Sequence, residues 1–340
     1  MRKGWRHAGM AAICIAASLP AWADDFYKGR RIDIVVGGNA GGVYDVVARS
    51  LARHMPKYID GTPNMVVQNM PGAGSIKAAE WAATVAPQDG SAIVALYPGA
   101  LTQPIIETDR KFRFDPATLK YIGSADSGAR MCVTYATSGT KTFEDAQKRE
   151  TIIGASAGGG STFDYAWMVK NLTGAKFKVV AGYKGTPDLE LAMERGEIDG
   201  ICGYGLAALR AEKPDWFRDR KINFLVQFAT RPDKELTTLG APDIAKFVSG
   251  NNRKAVDLII AQQDFSRPYV APPGTPAARL ATLRKAFDAA VADPEMKSEF
   301  ERLNSPLTPV SGVDVEKMVT RLIATPASVV TLARKAQQPD

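Results

Sequence analysis

The chain has 340 residues, with 43 basic and 36 acidic side chains, a formal net charge of +7, three cysteines and two histidines. The basic residues are scattered, without a block or interleaved aromatics, which argues against the basic face that a nucleic-acid binder presents. So few cysteines and histidines, widely spaced, argue against a transition-metal motif.

Residues 1–23 read as a secretory signal. Arg2, Lys3 and Arg6 form a positive start, an apolar run follows over 8–19, and Ala21-Trp22-Ala23 supplies a small-x-small cleavage site, so the mature chain is expected to begin at Asp24. That run falls short of the roughly 20 residues needed to span a bilayer, and no later stretch is long and apolar enough. A soluble protein exported to the periplasm is expected. Cleavage removes Cys14 and His7 and leaves Cys132, Cys202 and His54. Both remaining cysteines fall in predicted strands, and buried free thiols are favoured over a disulfide. His54, in a predicted helix beside Arg53 and Lys57, reads as a solvated surface residue.

The mature length exceeds what one core usually organises, so two domains are expected. Strands and helices alternate: strand 31–36, helix 44–58, strand 65–68, helix 76–85 and strand 92–96. An irregular stretch over 98–120, carrying Pro104 and Pro116, leads to a strand at 131–135. The middle repeats the plan, with strand 151–155, helix 163–172 stopped at Gly174, strand 177–181, helix 188–194, a strand from Gly200 and strand 222–229. From Pro276 onward the pattern is helical. This alternation predicts an α/β fold with largely parallel sheets.

Three strand-to-helix junctions are rich in glycine or small polar residues: GGNAGGVYD (37–45), NMPGAGS (69–75) and SAGGGSTFD (156–164). AGYKGTP (181–187) has the same character. Glycine there lets backbone approach a ligand, and the helix start behind it offers unpaired N–H groups and a positive dipole end. Ligands of open α/β sheets bind outside the carboxyl ends of the strands. Two junctions in each half suggest two lobes facing across a cleft, with an anion between opposed helix ends.

Catalytic motifs fare worse. Gly154-Ala155-Ser156-Ala157-Gly158 matches the G-x-S-x-G nucleophile elbow, but no histidine follows Ser156 to act as base. Ser138-Gly139-Thr140-Lys141 matches S-x-x-K in a polar turn without partner motifs. No dinucleotide or nucleotide fingerprint is in register. The expectation is no enzyme, no cofactor and no metal.

The segments RIDIVVGGNAGGVYDVVAR, VVQNMPGAGSIKAA, APQDG, GASAGGGSTFDYA, VVAGYKGTPDLELAMERGEIDG and RPYVAPPGTPAARLATLRKAFD, in this order and spacing, resemble the substrate-binding component of tripartite tricarboxylate transporters, the Bug or TctC-like receptor family. The resemblance runs from about Tyr27 to the C-terminus. It implies a two-lobed Venus-flytrap, periplasmic-binding-protein fold with a helical C-terminal region. Lobe 1 would comprise 24–123 plus 230–340, and lobe 2 would comprise 124–229 with the crossovers. It also implies a receptor that closes on a small carboxylate, an aromatic acid or a di- or tricarboxylate, and delivers it to membrane permease subunits; a monomer is the default expectation. A sensing subunit of a signalling system is the alternative, and a periplasmic hydrolase the weaker one. Carried over by position, the ligand-binding set is Gly41, Gly42, Tyr44 and Asp45 from the first loop, and Ser156, Gly160, Ser161, Thr162 and Asp164 from the third. Tyr183 and Lys184 come from the fourth junction, with Tyr204 and Gln227 from later strand ends. Tyr44 stands where small or hydroxyl residues are common in that family, which points to a narrower or aromatic-lined pocket, joined by Tyr97 if it lines the cleft. Asp45 and Asp164, each in a helix first turn, are expected to stabilise their helices.

Overall fold

The computed structural model describes residues 25–156, 161–303 and 307–339. The expected signal segment and Gly160 lie outside the described residues. The chain opens with β1 (Arg31–Val36), α1 (Val43–His54), β2 (Asn64–Asn69), α2 (Ile76–Thr84), β3 (Ala92–Ala95), α3 (Pro98–Ile106) and β4 (Lys120–Ser124). A second series follows: β5 (Arg130–Tyr135), α4 (Phe143–Lys148), β6 (Thr151–Ala155), α5 (Ser161–Thr173), β7 (Phe177–Ala181), α6 (Thr186–Glu194), β8 (Gly200–Gly205), α7 (Leu206–Glu212), α8 (Pro214–Arg218) and β9 (Ile222–Phe228). The chain then runs through α9 (Lys234–Thr238), α10 (Gly250–Ile260), β10 (Pro268–Ala271), α11 (Ala277–Ala292), α12 (Pro294–Arg302), β11 (Val310–Ser311), α13 (Gly312–Ile323) and α14 (Ala327–Ala336).

Local sequence accounts for these elements. In β1 the β-branched run buries Ile32, Ile34, Val35 and Val36, as suits a strand covered on both faces. In α1 the buried Val47, Ala48 and Leu51 recur at helical spacing. At α4 the Asp145 N–H donates to Thr142 Oγ1 (3.2 Å) while the Thr142 N–H donates to the Asp145 carboxylate (3.0 Å), a reciprocal cap. The stretch expected to be irregular after Pro98 instead opens with α3. Pro98 occupies the first turn, where its missing N–H costs nothing, although Pro104 lies inside the helix.

The strands form two sheets, ordered β11-β4-β10-β3-β1-β2 and β7-β6-β8-β5-β9. The α/β two-sheet class expected from the sequence is present, but the sheets are mixed rather than largely parallel. In the first, β2, β1 and β3 are parallel while β10 runs antiparallel between β3 and β4. In the second, β7, β6 and β8 are parallel while β5 runs antiparallel between β8 and β9. The antiparallel strands flank the passages between sheets, β4 to β5 and β9 back to β10. The passages are bonded to one another: Ala125 N–H donates to Arg267 O (3.0 Å), Ser266 N–H to Asp126 O (2.9 Å) and Gly128 N–H to Gln263 O (3.0 Å).

The largest buried cluster includes Val94 and Leu101 from the first series with Cys132, Tyr165 and Val226 from the second. Helix α14 packs on α10, α5 and α3, so it braces both sheets. Tyr165 stacks on Phe228 with centroids 4.9 Å apart, and its hydroxyl meets the Gln263 side-chain amide. Two sequence expectations change here. Cys132 and Cys202 are not free thiols: they form a disulfide joining β5 to β8. The irregular antiparallel register between these neighbouring strands brings the two positions together. His54 is not solvated: its side chain is 12% exposed and lies 3.6 Å from Asp293 and 3.5 Å from Glu299. Among the described residues, no helix is long and apolar enough to cross a membrane.

Candidate functional site

The turns after β1, β2 and β3 are laced together. Gly72, Ala73, Gly74 and Ser75 all have positive φ (149°, 46°, 62° and 75°), a conformation that Ala and Ser rarely adopt. It delivers Ser75 Oγ to the Gly37 carbonyl, to which it donates (3.1 Å), while it accepts from the Tyr97 N–H (3.0 Å). A Cβ at Gly37 would lie 2.5 Å from Ser75 Oγ, so this close approach requires glycine. Asp45 is 2% exposed and pins the first turn from behind. It accepts from Arg49 Nε (2.9 Å), Gly41 N–H (2.9 Å) and Asn69 Nδ2 (3.1 Å). The Arg49 bond leads in holding its carboxyl below the usual aspartate range. In place of the expected helix cap, the bonds of Asp45 fasten the turn residue Gly41, Arg49 and Asn69, and α1 starts from Gly42 without a side-chain cap.

Tyr44 and Tyr97 face one another with ring centroids 4.4 Å apart and planes at 48°. The Tyr44 hydroxyl donates to the Ser266 carbonyl at 2.8 Å, on the return passage between sheets. Burial leads in pushing its phenol up to about 12. From the other sheet, the start of α5 contributes Ser161, and Thr162 is turned inward. Thr162 Oγ1 accepts from the Ser156 N–H (3.0 Å) and donates to Ser156 Oγ (2.8 Å).

Arg130, the first residue of β5, stands between these groups. Its Nε donates to Gln263 Oε1 (3.0 Å), and its Nη1 donates to Gly203 O (2.8 Å) and Ser161 Oγ (3.3 Å). Nη2 makes no hydrogen bond among the described residues. Two cavities meet at Tyr44 and Arg130, which line both. The first, about 460 Å³, includes Tyr97, the start of α3 at Pro98 and Gly99, and Ser161, Phe163 and Asp164 of α5. The second, about 630 Å³, lies among Val43, the passage residues Asp126 to Arg130, the start of α7 at Leu206, and Arg267. Both draw residues from the two sheets, at carboxyl ends of strands, where α/β folds place ligands. Asp126 lies 3.2 Å from Arg267 in an ion pair and accepts from the Thr308 hydroxyl, while burial raises its carboxyl pKa.

Of the residues expected at the site, Tyr44, Tyr97, Ser161 and Asp164 line the first cavity. Gly41 and Gly42 lie in an exposed turn beside it, outside both linings. Ser156 and Thr162 brace one another at the start of α5, and Gly160 lies outside the described residues. Tyr183 packs half-buried against the cluster that includes Leu189 and Trp216, and Lys184 is exposed; neither lines either of these two cavities. The Tyr204 hydroxyl is spent on Glu190. Gln227 is fully buried, donating to Ala241 O (2.8 Å) and Thr237 Oγ1 (3.0 Å) and accepting from the Asp233 N–H (2.7 Å). Sequence reasoning missed Arg130, Gln263 and Arg267. One weak sign was available, an arginine at the mouth of an apolar strand (RMCVTY).

Among the described residues one histidine–carboxylate group gathers, His54 with Asp293 and Glu295. The Lys57 ammonium already sits against Asp293 and 3.3 Å from Glu295, so a cation is supplied by the chain itself.

No protein-family model matches the chain. A UPF0065 protein of Bordetella bronchiseptica is 23% identical over 301 residues, which span 86% of this chain and 82% of that protein. A TctC solute binding protein from Polaromonas superposes with a TM-score of 0.66 at 22% identity, covering 88% of this chain and 96% of its own. MatC from Rhodopseudomonas palustris, with bound malate, gives a TM-score of 0.62 at 19% identity, covering 88% of this chain and 99% of its own. The fold is that of the TctC-type solute-binding proteins, as the sequence resemblance implied.

Proposed function

We propose that the protein is a non-catalytic, extracytoplasmic receptor of the Bug/TctC type, which captures a small carboxylate between two lobes and hands it to membrane permease subunits. The observation that carries the reading is Arg130, a half-buried guanidinium whose Nη2 is unused among the described residues, set at the junction of two cavities that both sheets line. A planar guanidinium in partly desolvated surroundings suits a carboxylate. The starts of α3 and α5 on the same cavity add positive dipole ends. The malate in MatC supports the ligand class by analogy.

The lobes are residues 24–123 with 230–340, and residues 124–229, closing about the passages near 124–130 and 226–230. A ligand that binds the closed arrangement better than the open one shifts the population toward it. The G-x-S-x-G serine supports no hydrolytic reading, because the His54 ring is engaged near Asp293 and Glu299 and no other histidine remains after the expected signal. The signal-like start and the periplasmic setting belong to the same proposal.

A thermal-shift screen of the purified protein against carboxylic acids, neutral sugars and amines tests the reading. An acid at about 100 times its Kd adds roughly 2.7 kcal/mol, a rise of a few degrees. Shifts with sugars or amines and none with any acid would contradict it.

A further inference from the structure

We infer that the ligand is a monocarboxylate with a planar aromatic body, its carboxylate on Arg130 and its ring on the faces of Tyr44 and Tyr97. The inference rests on the carboxylate-receptor reading and narrows it.

The balance of charge around the two cavities carries the first half. Four arginines line them, and three are matched with carboxylates: Arg334 with Asp109, Arg267 with Asp126, and Arg210 with Glu235. Arg130 alone among the described lining arginines has no carboxylate partner; its protein contacts are a carbonyl, a hydroxyl and an amide oxygen. Those neutral acceptors orient the guanidinium without cancelling its charge. One unmatched cation matches one anionic headgroup.

The remaining wall of the first cavity opposes a second carboxylate. A second carboxylate finds no unmatched cation on that wall: Arg334 is held by Asp109, and the acidic side chains there are Asp164 and Glu107, the latter paired with Arg110 at 3.2 Å. What that wall offers instead is aromatic. Tyr44 and Tyr97 form a corner at 48°, with Phe163 of α5 on the same cavity. The corner is held rather than mobile in its parts: Tyr44 is fixed by its bond to Ser266 O, and Tyr97 by its N–H on Ser75 Oγ. A Cβ at Gly38 would come within 2.9 Å of the Tyr97 hydroxyl, so glycine is what leaves room for that ring. Preset aromatic faces favour a flat apolar body over a flexible chain with polar groups at both ends.

The test is calorimetric titration of the full protein with benzoate, 4-hydroxybenzoate, benzamide, malate, adipate and citrate. Benzoate or its hydroxy derivative is expected to bind at least tenfold tighter than malate, adipate or citrate. Benzamide, which keeps the ring and loses the charge, is expected to bind about 10–100-fold more weakly than benzoate. Tyr44→Leu is expected to weaken the aromatic acid about 2–10-fold. Malate, adipate or citrate binding as tightly as any aromatic acid overturns the inference and leaves the receptor reading standing. If no acid of either class binds, the receptor reading falls with it. The ligand series on the unaltered protein decides the matter even if the variant fails to fold.

Discussion

The Arg130 guanidinium donates to the Gly203 carbonyl at 2.8 Å, and Cys132, two residues after Arg130, is joined to Cys202, next to Gly203, by the disulfide between β5 and β8. The arginine that faces both cavities is therefore held at the end of a cross-linked strand pair. Its direction depends on a backbone carbonyl whose place that cross-link secures.

Replacing both cysteines, Cys132→Ala with Cys202→Ala, is expected to lower stability by roughly 2–4 kcal/mol, as for a long closed loop. Carboxylate affinity should fall as well, because β5 and β8 lose their fixed register beside Arg130. Chemical denaturation and ligand titration of the double variant check this. Unchanged affinity together with lost stability would separate the disulfide from the site.

Tyr44→Phe removes the hydroxyl that donates to the Ser266 carbonyl and leaves that acceptor without its partner. A loss of about 1 kcal/mol is expected, read as a lower midpoint in urea. No loss would mean that the bond does not tie α1 to the passage between sheets.

Asp45→Asn weakens the charged bonds from Arg49 and Gly41 and is expected to cost about 1–3 kcal/mol near neutral pH. The carboxyl titrates below its ordinary value, so its contribution is complete above about pH 4 and fades as pH falls through the lower folded value. The difference between the two proteins should therefore narrow toward strong acid, in denaturation measured from pH 7 to pH 2.5. A constant gap would contradict this origin.

Gln227→Leu leaves the buried Ala241 carbonyl and the half-buried Asp233 N–H without their side-chain partner and is expected to cost about 1–3 kcal/mol. Ligand affinity should not change, because Gln227 lines neither cavity. A weakened Kd at unchanged stability would return Gln227 to the binding set.

Much of the fold was legible in the sequence because local patterns carry it. The RIDIVV run, the INFLVQF run and the Gly174 stop each declare an element within a few residues. The sheets' antiparallel strands were not legible, since pairing β5 with β8 and β9 depends on where distant strands dock. Pro98 and Pro104 hid α3, although proline in a helix first turn is compatible with one. The glycine loops pointed to strand ends that border the first cavity, where Tyr44, Ser161 and Asp164 are among the lining residues. They did not reveal Arg130, whose contacts to Gln263, Ser161 and Gly203 all come from remote segments. Tyr204 and Gln227 sit at suitable strand ends, but their side chains are turned to Glu190 and to the Asp233–Ala241 segment. Strand-end position alone does not say which way a side chain faces.

The most direct measurement is titration calorimetry of carboxylic acids into the unaltered protein and into Arg130→Gln. The account predicts saturable one-to-one binding of an acid with a Kd of about micromolar or tighter, weakened at least tenfold by the substitution. Absence of binding by every acid, or equal affinity in Arg130→Gln of unchanged fold, would contradict it.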